Sequence, residues 1–170
     1  MSHNITNEAC QAHVTFTNLK CHNYFKNLGD FETCSIKAVN RTHKYINIYY
    51  KTTGTPIDNV TVNFKLMRYD HGYKPFYLDL TYDACQFLKL QKNPIAKIMY
   101  ATFKDSSNMN HTCPYNQDVF INKLWTGNLE TGFTRILPMP LGDYAIFTNW
   151  YTNNIIRCYV NTYFRLTDKK

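Results

Sequence analysis

The stretch Ser106 to Asp118, SSNMNHTCPYNQD, sets His111 two residues before Cys113. An imidazole beside a thiol can take its proton and leave a nucleophilic thiolate. Residues two apart on an extended segment present both side chains on one side. No third group that would orient the imidazole stands nearby, so a disulfide or loop-packing role for Cys113 is the stronger reading. The rest of the catalytic inventory is thin. The histidines His3, His13, His22, His43, His71 and His111 are dispersed, with no two at a metal-ligand spacing. Asp and Glu total only 12, and there is no HExxH, GxSxG or phosphate-binding glycine loop. The sequence therefore points away from an enzyme, and no metal or cofactor is expected.

Cys113 is one of six cysteines, with Cys10, Cys21, Cys34, Cys85 and Cys158. An even count at wide spacings, without a CxxC, fits a disulfide framework; six buried thiols in a cytosolic core is the alternative. Four glycosylation sequons begin at Asn4, Asn40, Asn59 and Asn110. A chain this rich in Asn, Ser and Thr produces nearly that many by chance, so they permit secretion without establishing it. Residues 1 to 12 are polar and acidic rather than a basic start followed by an apolar core.

The elements that must position these residues are mostly strands. In Asp58 to Asp70, Val60, Val62, Phe64 and Leu66 fall on one face, with Thr61, Asn63 and Lys65 on the other. Ile46, Ile48 and Tyr50 alternate in the same way, as do Ile156, Cys158, Val160 and Phe164. Shorter strands are read in VTFTNLKC, CSIKAVN, DVFINKLW and GDYAIFTNWYTN, and LPMPLGDY reads as an extended approach to the penultimate strand. A helical interlude near residues 83–107 interrupts them. Ile95, Ile98, Met99, Thr102 and Phe103 follow helical spacing, with Asn93 as N-cap and Pro94 at the first helical position. Asp83 suits the cap of a shorter helix just before it. The pattern predicts a mainly all-β chain, an antiparallel β-sandwich with this short helical insertion, folded as one domain over residues 1–170 with its core at about 14–167.

The net charge is +7, but Lys and Arg are scattered, so nucleic acid is not an expected partner. No apolar run approaches the roughly 20 residues of a membrane-spanning helix. Aromatics make up 16% of the chain, with 14 Tyr and 11 Phe. Composition alone favours a filled sandwich core; the competing reading is an apolar cavity held between the sheets.

Six stretches together resemble a known family: FTNLKC, FETCSIKAVNR, GYKPFYLDLTYDACQFL, NPIAKIMY, SNMNHTCPYN and LPMPLGDY, covering roughly residues 14 to 165. They are similar to a large group of secreted insect proteins of mostly unknown function that includes the gustatory chemosensory B proteins. That group is related in fold to the ML lipid-recognition domains, such as the ganglioside activator protein. The resemblance implies an immunoglobulin-like, ML-type sandwich with an apolar pocket, and it turns the balance toward the cavity. It implies bridges Cys21–Cys34 and Cys85–Cys113; Cys10 and Cys158 depart from the family pattern and look like an added pair. Family members carry a signal peptide, so Met1 is read as the start of a trimmed or incomplete chain and the protein as secreted.

The expected function is a secreted carrier of a lipid or other apolar small molecule, such as a pheromone, a cuticular hydrocarbon or a glycolipid tail, in chemosensation. The alternative is an extracellular accessory protein that modulates a membrane receptor or channel through its surface. A monomer is expected. The pocket wall is assigned to Ile46, Ile48, Tyr50, Val62, Phe64, Leu66, Val160 and Phe164, with Ile95, Ile98, Met99 and Phe103 closing one end. Asn40 and Asn59 are expected to be glycosylated most readily, Asn110 less so.

Overall fold

The computed structural model describes residues 12–54 and 56–168. Among the described residues eight strands form two antiparallel sheets. They are β1 (Ala12–Asn23), β2 (Gly29–Ala38), β3 (Lys44–Thr52), β4 (Val60–Tyr69), β5 (Tyr73–Asp83), β6 (Val119–Trp125), β7 (Gly142–Thr152) and β8 (Ile155–Asp168). The larger sheet runs β1-β8-β7-β4-β5 and the smaller β2-β3-β6. This is the all-β sandwich that the period-two pattern predicts.

The alternation in β4 drives its burial. Val62, Phe64 and Leu66 are buried, while Asn63 and Lys65 face outward with partial exposure. On that outer face the Asn63 amide donates to Asp79 Oδ1 and Thr81 Oγ1, both at 2.9 Å, tying β4 to β5. Strand β5 was not among the expected strands. Pro75 lacks an amide hydrogen, and the chain tolerates it because β5 lies on the sheet edge. The β4–β5 reversal uses His71 at φ 53° and Gly72 at φ 125°, and the β7–β8 reversal uses Asn153 and Asn154 at φ 51° and 63°. Asn is among the few residues that accept this left-handed region readily. Strand β2 begins at Gly29, five residues before the expected start at Cys34.

The helical interlude comprises α1 (Ala84–Leu90), α2 (Pro94–Phe103) and a 3-10 turn at Lys104–Ser106. Asp83 caps α1 by accepting from the Gln86 amide, and Asn93 caps α2 by accepting from the Ile95 and Ala96 amides. The buried residues of α2 are Ala96, Met99, Tyr100 and Thr102. The packed face is thus rotated from the predicted stripe, because Tyr100 docks edge-on against Phe87 of α1 at 5.7 Å. Two further short helices, α3 (Gly127–Thr131) and α4 (Phe133–Ile136), lie where no helix was expected. The first anchors to β1, where the Val14 amide donates to Glu130 Oε1 at 2.8 Å.

Among the described residues two disulfides brace the fold. Cys21–Cys34 joins β1 of the large sheet to β2 of the small one, and Cys85–Cys113 ties α1 to the loop before β6. The third expected bridge has one end, Cys10, outside the described residues; Cys158 is buried and has no disulfide partner among the described residues. The core between the sheets is closed at one end by Val14, Phe16, Leu66, Tyr144, Phe164 and Leu166, all 2% exposed or less. Tyr144 and Phe164 stack there with centroids 5.8 Å apart. Among the described residues no helix is long and apolar enough to cross a membrane.

Candidate functional site: an apolar cavity between the sheets

Above this closed end the sheets do not meet in full contact. A cavity of about 240 Å³ runs between them. The inward face of β3 supplies Ile46, Ile48 and Tyr50, and that of β4 supplies Val60, Val62 and Phe64. Strand β7 adds Ile146, Thr148 and Trp150, and β8 adds Cys158, Val160 and Thr162. Met99 and Phe103 of α2 lie along one side, with Met109 and Tyr115 from the loop that Cys113 anchors. That loop is held in place by paired backbone hydrogen bonds between Ile57 and Tyr115, at 2.8 and 2.9 Å.

Of the twelve residues assigned to the pocket, the structure brings eight to the cavity wall: Ile46, Ile48, Tyr50, Val62, Phe64, Met99, Phe103 and Val160. Leu66 and Phe164 do not line it. They lie one step further along their strands, in the packed plug at the closed end. Ile98 is half-buried and packs against the core cluster rather than the cavity. Ile95 belongs to neither, because the first turn of α2 lies at the margin and Ala96, its neighbour, takes the buried position.

Sequence reasoning missed the β7 wall. Strand β7 places Tyr144, Ile146, Thr148 and Trp150 inward, but its outward residues include Ala145, Phe147 and Tyr151, so the alternation is blurred. Arg157 was also missed. A register shift at Trp150/Tyr151 turns Arg157 into the sandwich, leaving its expected inward neighbour Ile156 off the wall. Such a bulge has no simple period-two signature.

The polar atoms of the cavity are mostly satisfied by the protein itself. Trp150 Nε1 donates to Thr148 Oγ1 at 2.9 Å, and that hydroxyl donates to the Val160 carbonyl at 2.8 Å. Tyr50 Oη donates to Asn23 Oδ1 at 3.2 Å. Burial pushes the Cys158 thiol up to about 12, against the pull of the Arg157 charge. Burial likewise raises the Tyr50 phenol, opposed by the hydrogen bond and charge of Arg157.

The His111–Cys113 pair is not assembled for chemistry. Cys113 is disulfide-bonded, and the His111 ring lies 2.7 Å from the Thr112 carbonyl and 4.2 Å from the Tyr115 ring. Among the described residues no three His, Cys, Asp or Glu side chains gather to hold a metal ion. The sequon residues Asn40, Asn59 and Asn110 are exposed, and Asn4 lies outside the described residues.

Fold and site together define a β-sandwich with an internal apolar cavity flanked by a disulfide-anchored helical segment. A family profile described as protein of unknown function (DUF1091) matches residues 62–146, half of the 170 residues, and the chain belongs to that family. The matched segment runs from β4 through the helices and β6 into β7, and so contains much of the cavity wall. No curated protein matches the chain.

Proposed function

We propose that this protein is a secreted carrier that holds a lipid or other apolar small molecule between its two sheets, in the manner of the ML lipid-recognition domains. The observation that carries the reading is the cavity of about 240 Å³ with walls of Ile, Val, Phe, Met and Trp. An engineered apolar cavity of about 150 Å³ already takes up benzene. Burying one methylene contributes about 0.8 kcal/mol, so a ten-carbon chain gains roughly 8 kcal/mol before ordering costs. Met99 and Met109 suit a wall that adapts to chains of different shape.

Two further features support the secreted compartment of this reading. Two disulfides fit an oxidising environment, and three sequon asparagines stand exposed. The resemblance to secreted insect chemosensory proteins supports a role in chemosensation, with pheromone-like lipids, cuticular hydrocarbons and glycolipid tails as ligand classes.

The test is binding of a neutral fluorescent probe, N-phenylnaphthylamine, to protein secreted from insect cells. The parent binds and its fluorescence rises, while Phe64→Ala and Met99→Ala stay folded by circular dichroism and bind with altered affinity. If both folded variants bind like the parent, the ligand lies elsewhere. If the parent binds no apolar probe, the accessory-protein reading takes over.

A further inference from the structure

Arg157 is 9% exposed and lines the cavity, yet no carboxylate pairs with it among the described residues. Its partners are all neutral. Nη1 donates to Thr152 Oγ1 at 3.0 Å, and Nη2 donates to the Leu28 carbonyl and, at a long 3.4 Å, to Tyr50 Oη. The Tyr50 ring lies 6.0 Å from the guanidinium carbon. The Nε–H is buried and has no hydrogen-bond partner among the described residues. Neutral acceptors satisfy donors but do not balance the charge, and a buried cation without a counterion is costly. The guanidinium fork is the group best shaped to take a carboxylate or phosphate through two parallel hydrogen bonds.

Position adds a second argument. Arg157, Thr152 and Ile57 line both the apolar cavity and a smaller neighbouring one of about 50 Å³, whose other walls include Thr52, Thr53 and Asn59. Asp58 lines that outer pocket but forms no ion pair with Arg157. The guanidinium therefore stands at a boundary between an apolar chamber and a polar one. Such a boundary fits an amphiphile and gives a wholly apolar hydrocarbon nothing to balance the charge.

We infer that the ligand is an acid-headed amphiphile, its anionic head on Arg157 and its tail running between the two sheets toward Met99 and Phe103. This rests on the carrier reading and narrows its ligand class. A neutral partner such as a hydrocarbon is the outcome that would contradict it.

The experiment displaces N-phenylnaphthylamine from the parent protein with decanoate and with decan-1-ol, which share a tail and differ in the head. Decanoate should displace the probe at a concentration at least tenfold lower, about 1.4 kcal/mol of preference. In Arg157→Gln that preference should vanish, decanoate and decan-1-ol displacing the probe at concentrations within twofold of each other. Decanoate no better than decan-1-ol in the parent overturns the inference and leaves the carrier reading standing. A decanoate preference that survives in folded Arg157→Gln also overturns it. Should Arg157→Gln fail to fold, Arg157→Lys keeps a charge without the fork, and a preference reduced but not abolished is expected; an undiminished one contradicts a seat built on the guanidinium. No displaceable probe binding in the parent removes both readings together.

Discussion

Phe64 and Lys65 are adjacent in β4 and opposite in fate. Phe64 is 4% exposed on the cavity wall, whereas Lys65 points to the outer face. Phe64→Asp puts an unpaired charge into an apolar chamber, and we expect loss of folding or of ligand binding; Lys65→Gln, which leaves no like charge opposite Asp79 on β5, should shift stability by no more than about 0.5 kcal/mol. Urea unfolding of both variants checks this, and equal losses would contradict the assigned faces. Cys158 gives a second prediction at this scale. Its thiol ionises near 12 because it is buried, so at about pH 8 it should resist alkylation in the native protein. In denaturant without reductant it should label at once. A Cys158 that labels only after reduction would instead restore the expected pair with Cys10. The wall of β4 is legible from sequence because Val60, Val62, Phe64 and Leu66 alternate with the polar Thr61, Asn63 and Lys65. Arg157 is not, because its inward turn depends on a bulge set by the pairing of β7 with β8.

At the scale of elements, the helical interlude was legible in its caps and boundaries. Asp83, Asn93 and Pro94 are local signals that act through the nearest backbone amides. Its rotation was not, since the docking of Tyr100 on Phe87 is a tertiary contact between two helices. Strand β5 stayed hidden for a related reason: Pro75 argues against a strand until the sheet order shows that it is an edge. The Cys85–Cys113 bridge closes a loop of 28 residues that contains both helices. In the chain-entropy view such a closure stabilises by roughly 3.5 kcal/mol. The double variant Cys85→Ser/Cys113→Ser should lose about that much in urea unfolding, and it should lose probe binding more steeply than stability, because Met99, Phe103, Met109 and Tyr115 all sit on the segment it anchors. Retention of both would show that the segment is held by packing alone.

At the scale of the whole molecule, the abundant tyrosines make the fold sensitive to alkali. Burial is the first cause of a raised phenol in Tyr50, Tyr73, Tyr82, Tyr100, Tyr115 and Tyr144, and Tyr82 is pushed up to about 12. In the unfolded chain these groups ionise near the ordinary value of 10. Below that pH both states hold their protons and the contribution to stability is complete. Between about 10 and 12 the unfolded chain releases protons that the native state keeps, so stability falls as pH rises. Urea midpoints at about pH 8 and about pH 11 should show a marked drop, and equal midpoints would contradict the burial assigned to these rings. The aromatic excess itself could not say whether the core was solid or hollow. Rings fill the plug at Tyr144 and Phe164, and rings such as Phe64 and Trp150 also line the chamber above it.

The most direct measurement is native mass spectrometry of the protein produced in insect cells, purified without detergent and followed by lipid extraction. A chamber that carries an apolar ligand predicts a fraction of molecules heavier than the covalent chain by the mass of one lipid, released on denaturation and reduced in Phe64→Ala. Protein that always has the mass of the covalent chain alone, and that takes up neither decanoate nor N-phenylnaphthylamine when these are added in excess, would contradict it.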